Sequence, residues 1–177
     1  MPRKYSQTSF PPGLDFMRAI CLPRQEKRGH MKDQDPIQET AGYLVYRVGR
    51  LLRFRAAQFF RSKGLDISPE QWSVLMTIAH KSRPALSDLA DATMGDHPNV
   101  TRLVDGLTAM GLARRIPNPG DKRSSLVEIT DKGESFIDDI WPDLLEAKAE
   151  YFDGMDQNEV TTFIRLLRLM QTNLEAG

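Results

Sequence analysis

The stretch from Arg114 to Thr130, "RRIPNPGDKRSSLVEIT", decides how this chain is read. Two strand-like runs, Ala113-Arg114-Arg115-Ile116 and Leu126-Val127-Glu128-Ile129, flank a turn-rich segment with Pro117, Pro119 and Gly120. That is the pattern of a β-hairpin. Hairpin tips are often small and polar, but this one carries Asp121, Lys122 and Arg123 in a row. Two cations at the end of a β-ribbon suit a narrow groove of concentrated negative potential.

Upstream of the hairpin the pattern is helical. Val100, Leu103, Val104, Leu107 and Met110 recur at spacings of three and four, predicting a helix that ends at Gly111. Asp96 or His97 is expected to cap it, with Pro98 in its first turn. Pro98, Asn99, Thr101, Arg102 and Asp105 then occupy its outer face. Gly95 separates it from a shorter helix through Leu89 and Ala90 to about Thr93, with Ser87 as the expected cap. Ser68-Pro69-Glu70-Gln71 has an N-cap serine, proline at N1 and glutamine at N3. It opens a helix to about His80 that is expected to bury Trp72, Leu75, Met76 and Ala79. Before it, a long helix is predicted from about Pro36 to Lys63, with Leu44, Val48, Leu51 and Leu52 as its stripe and Gly64 just past its end.

Downstream, Phe136, Ile137, Ile140, Leu144 and Leu145 predict a helix to about Phe152, with Pro142 expected to kink it. Asp156 to Glu159 offers a cap for a last helix bearing Val160, Phe163, Ile164, Leu167, Met170 and Leu174. The fold class is therefore mainly α with a small β-hairpin. The expected organisation is an N-terminal extension over 1–35, helical segments over 36–65 and 131–177, and a lobe over 66–130 that holds the hairpin.

A short helix, a glycine turn, a helix with small polar residues at its start and a basic-tipped hairpin make a winged helix-turn-helix. The second helix can enter a major groove, where its N-terminal side chains reach base edges. The hairpin, or wing, follows the backbone to the adjacent minor groove. Charge is distributed in keeping with this. The net charge is zero, yet Tyr43 to Arg83 holds eight Lys/Arg against two Asp/Glu, and Asp131 to Gly177 holds four against eleven. One face is thus suited to a polyanion, although charges that simply solvate helix faces account equally well for the gradient. The lobe itself is not basic: Leu86 to Thr130 carries five Lys/Arg against six Asp/Glu.

The segment "NVTRLVDGLTAMGLARRIPNPGDKRSSLVEITDKG", residues 99–133, resembles the DNA-binding core of the multiple-antibiotic-resistance regulator (MarR) family. The Thr-Arg-Leu-Val-Asp start, the Gly-Leu turn into the first wing strand, the Asp-x-Arg wing and the closing Ile-Thr-x-x-Gly are in family register. The likeness extends over roughly Thr40 to Leu174. It implies a homodimer in which the first and last two helices interlock, and a transcriptional regulator, usually a repressor, released from DNA by a small molecule or by oxidation. It further implies that Pro98, Asn99, Thr101 and Arg102 face the major groove, that Lys122 and Arg123 occupy the wing tip, and that Asp121 orients Arg123.

Other residues are read more evenly. Arg102 as a plain surface charge would pair with Asp105. Arg114 and Arg115 either solvate the first wing strand or face phosphate. Tyr43, Tyr46, Trp72, Arg47 and Arg50 would make an apolar site with one anion anchor, and the resemblance suggests an aromatic acid as effector; ordinary core with solvated arginines is the plainer account. The single cysteine, Cys21, excludes an internal disulfide and is best read as inert, although some family members sense peroxides through an N-terminal cysteine. His30, His80 and His97 are far apart, so no metal site is expected. No nucleophile–base pair or phosphate-binding glycine loop is present, so neither catalysis nor a cofactor is expected. No apolar run approaches the roughly 18–20 residues of a membrane span, and no signal-peptide pattern opens the chain. The reading is a cytoplasmic protein whose partners are a second copy of itself, double-stranded DNA with pseudo-palindromic half-sites, and a small-molecule effector. A winged-helix module that binds protein instead of DNA is the alternative. A short amphipathic turn at Phe16–Ile20 and an alternative start at Met31 are further expectations for the extension.

Overall fold

The fold is known from a computed structural model, which describes residues 40–93, 97–121 and 124–176. The readings placed on the extension, on Cys21, His30 and Met31, and on Gly95, Asp96, Lys122 and Arg123 lie outside the described residues. The elements in chain order are α1 (Ala41–Ser62), α2 (Pro69–Lys81), α3 (Leu86–Thr93), α4 (His97–Ala109), β1 (Ala113–Pro117), β2 (Ser125–Ile129), α5 (Asp131–Ala149), a 3₁₀ turn (Glu150–Phe152) and α6 (Gln157–Glu175). Two compact units are distinguished, one up to Ala56 and one from Ala57 onward.

The element boundaries have local chemical causes. Thr40 starts α1, its carbonyl accepting from Leu44 N–H and its hydroxyl from Tyr43 N–H. At the other end Leu65 N–H reaches the Phe60 carbonyl and Gly64 N–H the Arg61 carbonyl, a Schellman closure. Ser68 and Gln71 form the capping box expected for α2. The first α4 turn begins at His97, so His97 is inside the helix and does not cap it. Its last turn closes as α1 does: Leu112 N–H to Leu107, Gly111 N–H to Thr108, with Gly111 at φ +73°. Ser87 is not the cap of α3. The helix begins at Leu86, and the Asp88 carboxylate reaches back to the Ala85 N–H. Asp156 and Glu159 form a capping box at α6.

The core of the second unit gathers one face from each lobe helix. Phe60, Val74, Leu75, Ile78, Leu89, Val100, Val104, Leu107 and Val127 are almost wholly buried. In α2 the inward face is Trp72, Val74, Leu75 and Ile78; Ala79 is exposed and Met76 only half-buried, so the expected stripe is rotated by about a residue. In α5, Ile140 and Leu144 are buried while Leu145 is exposed. The helix is continuous from Asp131 to Ala149 with Pro142 inside it. The hairpin pairs β1 and β2 antiparallel with Arg114 opposite Glu128 and Arg115 opposite Val127. Pro84 and Ala85 extend the sheet on its far side: Val127 N–H donates to the Pro84 carbonyl and Ala85 bridges to Leu126. By contrast, α6 buries no residue, and Leu44, Val48, Leu51 and Leu52 of α1 are all exposed.

Candidate nucleic-acid interface

α4 is a helix with two distinct faces. Val100, Val104 and Leu107 seal one against the lobe, while His97, Pro98, Arg102 and Asp105 are exposed and Asn99 and Thr101 half-buried. Gly106 faces α2, where a Cβ would meet the end of the Gln71 side chain and displace it. The residues expected to read bases therefore share the first two turns of one exposed helix face. Arg102 is bonded to Asn99, its Nη2 donating to Asn99 Oδ1 at 3.1 Å. It does not pair with Asp105, and its guanidinium is aimed along the N-terminal half of the helix.

The wing is built around Asn118. Its Oδ1 accepts from Gly120 N–H at 2.9 Å and its Nδ2 donates to Ser124 Oγ at 2.8 Å, tying the two sides of the tip together. Ser124 N–H in turn donates to the Asp121 carbonyl. Lys122 and Arg123 fall between these anchors in sequence and outside the described residues, as does the expected pairing of Asp121 with Arg123.

At the stem of the wing, acids and bases are matched on both faces. Arg115 Nη2 donates to Asp105 Oδ1 of α4 at 2.8 Å. On the opposite face Glu128 takes two guanidiniums: Arg114 from the adjacent strand at 2.8 Å and Arg83 from the α2–α3 connection at 2.7 Å. Arg114 beside it, and then Arg83, hold the Glu128 carboxyl below its ordinary value of 4.5. Reaching Glu128 from the end of α2 requires a sharp turn, and Ser82 and Arg83 take left-handed φ of 50° and 67° to make it. The sequence contained the Arg114–Glu128 pair, since opposite charges face each other once the hairpin register is set. It gave no signal for Arg83, 45 residues from its partner. The six acids of the lobe thus do not all oppose DNA: Asp88 caps a helix, and Asp105 and Glu128 each hold arginines.

On α1, Tyr43, Tyr46, Arg47, Arg50, Leu51 and Phe54 line an open depression of about 320 Å³. Arg50 donates to the Tyr46 hydroxyl at 3.3 Å and lies 5.9 Å from its ring centroid. Trp72 has a different environment. It is buried, with Phe60 at 5.5 Å and Phe136 at 6.3 Å between ring centroids, and belongs to the lobe core. Among the described residues there is no cluster of side chains able to hold a metal and no helix long and apolar enough to cross a membrane.

A helix-turn-helix with a buried inner face, an exposed second helix and a hairpin fixed beside it defines a winged-helix DNA-binding protein. Residues 65–124 match the family model described as "MarR family". The transcriptional repressor NicR of Pseudomonas putida is 26% identical over 140 residues, covering 76% of this chain and 89% of its own. Among solved structures, MarR of Escherichia coli in its apo form is 25% identical with a TM-score of 0.63, covering 73% of this chain and 96% of its own. The regulator BpsR of Bordetella bronchiseptica, whose DNA binding is regulated by 6-hydroxynicotinic acid, is 23% identical with a TM-score of 0.67, covering 82% and 98%. Residues 65–124 thus carry a MarR-family domain, and over most of its length the chain is similar to MarR-type transcriptional regulators. It is a DNA-binding regulator, and its relatives are regulators and not enzymes.

Proposed function

We propose that the protein acts as a homodimeric repressor that binds a pseudo-palindromic operator and is released by a small aromatic acid. In each protomer Pro98, Asn99, Thr101 and Arg102 enter a major groove, and Lys122 and Arg123 reach the neighbouring minor groove. Residues 66–130 form the reading lobe, 36–65 and 131–177 carry dimerisation, and 1–35 are an extension. A cytoplasmic location goes with this role. The observation that carries the reading is the exposed face of α4, where Arg102 is held by Asn99 while the opposite face is sealed in the core. Support for the dimer comes from the bare apolar stripes of α1 and α6. Support for the effector comes from the depression on α1, where two tyrosines and a phenylalanine supply aromatic walls and Arg47 and Arg50 an anion anchor. An effector of this kind must bind the DNA-incompetent state more tightly than the DNA-bound one.

The test is fluorescence anisotropy on the DNA upstream of the protein's own gene, titrated with salt, with 6-hydroxynicotinic acid and other aromatic carboxylates added at saturation. Arg102→Ala is expected to cost about 1–3 kcal/mol and to blur the distinction between operator and random duplex. Arg123→Ala is expected to weaken all duplexes alike. Failure of the wild type to prefer any duplex selected from a random pool would overturn the reading and leave a protein-binding module.

A further inference from the structure

Asp105 is an acid on the helix face that the proposed function assigns to DNA. Alone, such a charge repels phosphate. Its geometry gives it another task. Asp105 Oδ1 holds Arg115 Nη2 at 2.8 Å, and the same guanidinium turns its Nη1 toward Ser125 Oγ at 3.4 Å. One side chain therefore joins α4 to both strands of the wing stem. The next residue of α4, Gly106, faces the end of the Gln71 side chain on α2, which a Cβ there would displace. Arg115 is the more buried partner, with 31% of its side chain exposed against 60% for Asp105, so the guanidinium lies within the joint and not over the outer surface.

We infer that Asp105 is a positioning residue: through Arg115 it sets the wing at a fixed angle to the reading helix, so that helix and wing meet adjacent grooves together. Arg115 serves this joint and makes no phosphate contact of its own. The inference rests on the regulator reading for its effect on DNA, but the joint itself is a property of the free protein. Preorganisation is the physical gain. A wing already at the correct angle loses little conformational freedom on binding, whereas a loose one must be ordered at the cost of affinity.

The sign of one substitution discriminates. Asp105→Asn removes a negative charge beside the polyanion, and a bystander acid would therefore bind DNA more tightly once neutralised. A positioning acid would bind more weakly, by about tenfold if one charge-assisted hydrogen bond fixes the wing. The experiment measures operator affinity, salt slope and sequence preference for the full-length wild type, Asp105→Asn, Arg115→Gln and the double variant. Hydrogen exchange of the hairpin amides is followed in the DNA-free proteins, with thermal unfolding as a check on folding. The expected result is faster hairpin exchange and weaker operator binding in both single variants, with the double variant no weaker than either. Four outcomes overturn the inference: tighter binding by Asp105→Asn; weakening confined to Arg115→Gln with the salt slope reduced by about one; altered base preference in Asp105→Asn; or unchanged hairpin exchange. If the wild type binds no DNA at all, the regulator reading fails, while exchange in the free protein still decides whether the joint exists.

Discussion

Glu128 shows how a single side chain is shared between distant parts of the chain. It joins Arg114, directly across the hairpin, to Arg83, delivered by a left-handed turn after α2. Because its carboxyl titrates below 4.5 in the folded protein, Glu128 contributes stability that is present above that value. The contribution is lost as the pH falls from 4.5 through the lower folded value. Glu128→Gln is therefore expected to melt at a lower temperature than wild type at neutral pH, with the gap closing in more acidic buffer. Thermal unfolding at a series of pH values checks this; a gap that persists unchanged at low pH would show that the ion pairs contribute nothing. Half of this cluster was legible in advance, because hairpin register sets Arg114 opposite Glu128. Arg83 was not, since its approach depends on two residues adopting a backbone conformation that neither favours.

At the scale of elements, the hairpin is seated by the start of α5. Thr130 caps that helix through Gly133 N–H, and its hydroxyl also donates to the Gly111 carbonyl at 2.7 Å. Lys132 Nζ reaches the Met110 carbonyl at 2.7 Å. The end of α4 and the start of α5 thus share their exposed polar groups, and Gly133 allows it. A Cβ on Gly133 would run into the Leu112 carbonyl and the Ile129 side chain. Gly133→Ala is predicted to destabilise the protein by about 1–3 kcal/mol, the scale of overpacking in a filled interior. Urea unfolding measures it directly, and a neutral result would mean that α5 can shift without disturbing the wing. The Ile-Thr-x-x-Gly pattern was visible in the sequence, yet its physical reason was not, because the close approach involves a backbone oxygen 21 residues earlier.

At the scale of the molecule, α1 and α6 present apolar stripes to solvent. On α6 Phe163, Ile164 and Leu167 are 39%, 41% and 37% exposed on one face, a contiguous apolar surface of the kind that marks an interface. A second copy covering them is expected to give a dimer in sedimentation equilibrium, and Leu167→Glu to give folded monomers that bind the operator far more weakly. A wild type that sediments as a monomer at micromolar concentration would rule this out. The lobe also predicts its own salt dependence. Among the described residues Arg83, Arg114 and Arg115 are paired with acids, so phosphate contact is expected mainly of the residues proposed for DNA, Arg102, Lys122 and Arg123. The slope of log K against log salt should therefore correspond to a handful of contacts per protomer, at about 0.9 per phosphate. A slope near ten per protomer would require cations that this arrangement has engaged elsewhere.

Periodicity, caps and turn residues were enough to define the elements and their order, because each depends on neighbours within a few positions. Capping boxes at Ser68 and Asp156 and the glycine after α4 are local chemistry, and they form where the residues call for them. Which side of a helix faces inward was less secure: Ala79 and Leu145 are exposed, because burial depends on what lies opposite. The charges depended most on the tertiary structure. The sequence counted six acids in the lobe and set Arg114 opposite Glu128, but only the fold determined that Asp105 holds Arg115 and that Arg83 joins Glu128, since ion pairing is set by distance in space and not along the chain.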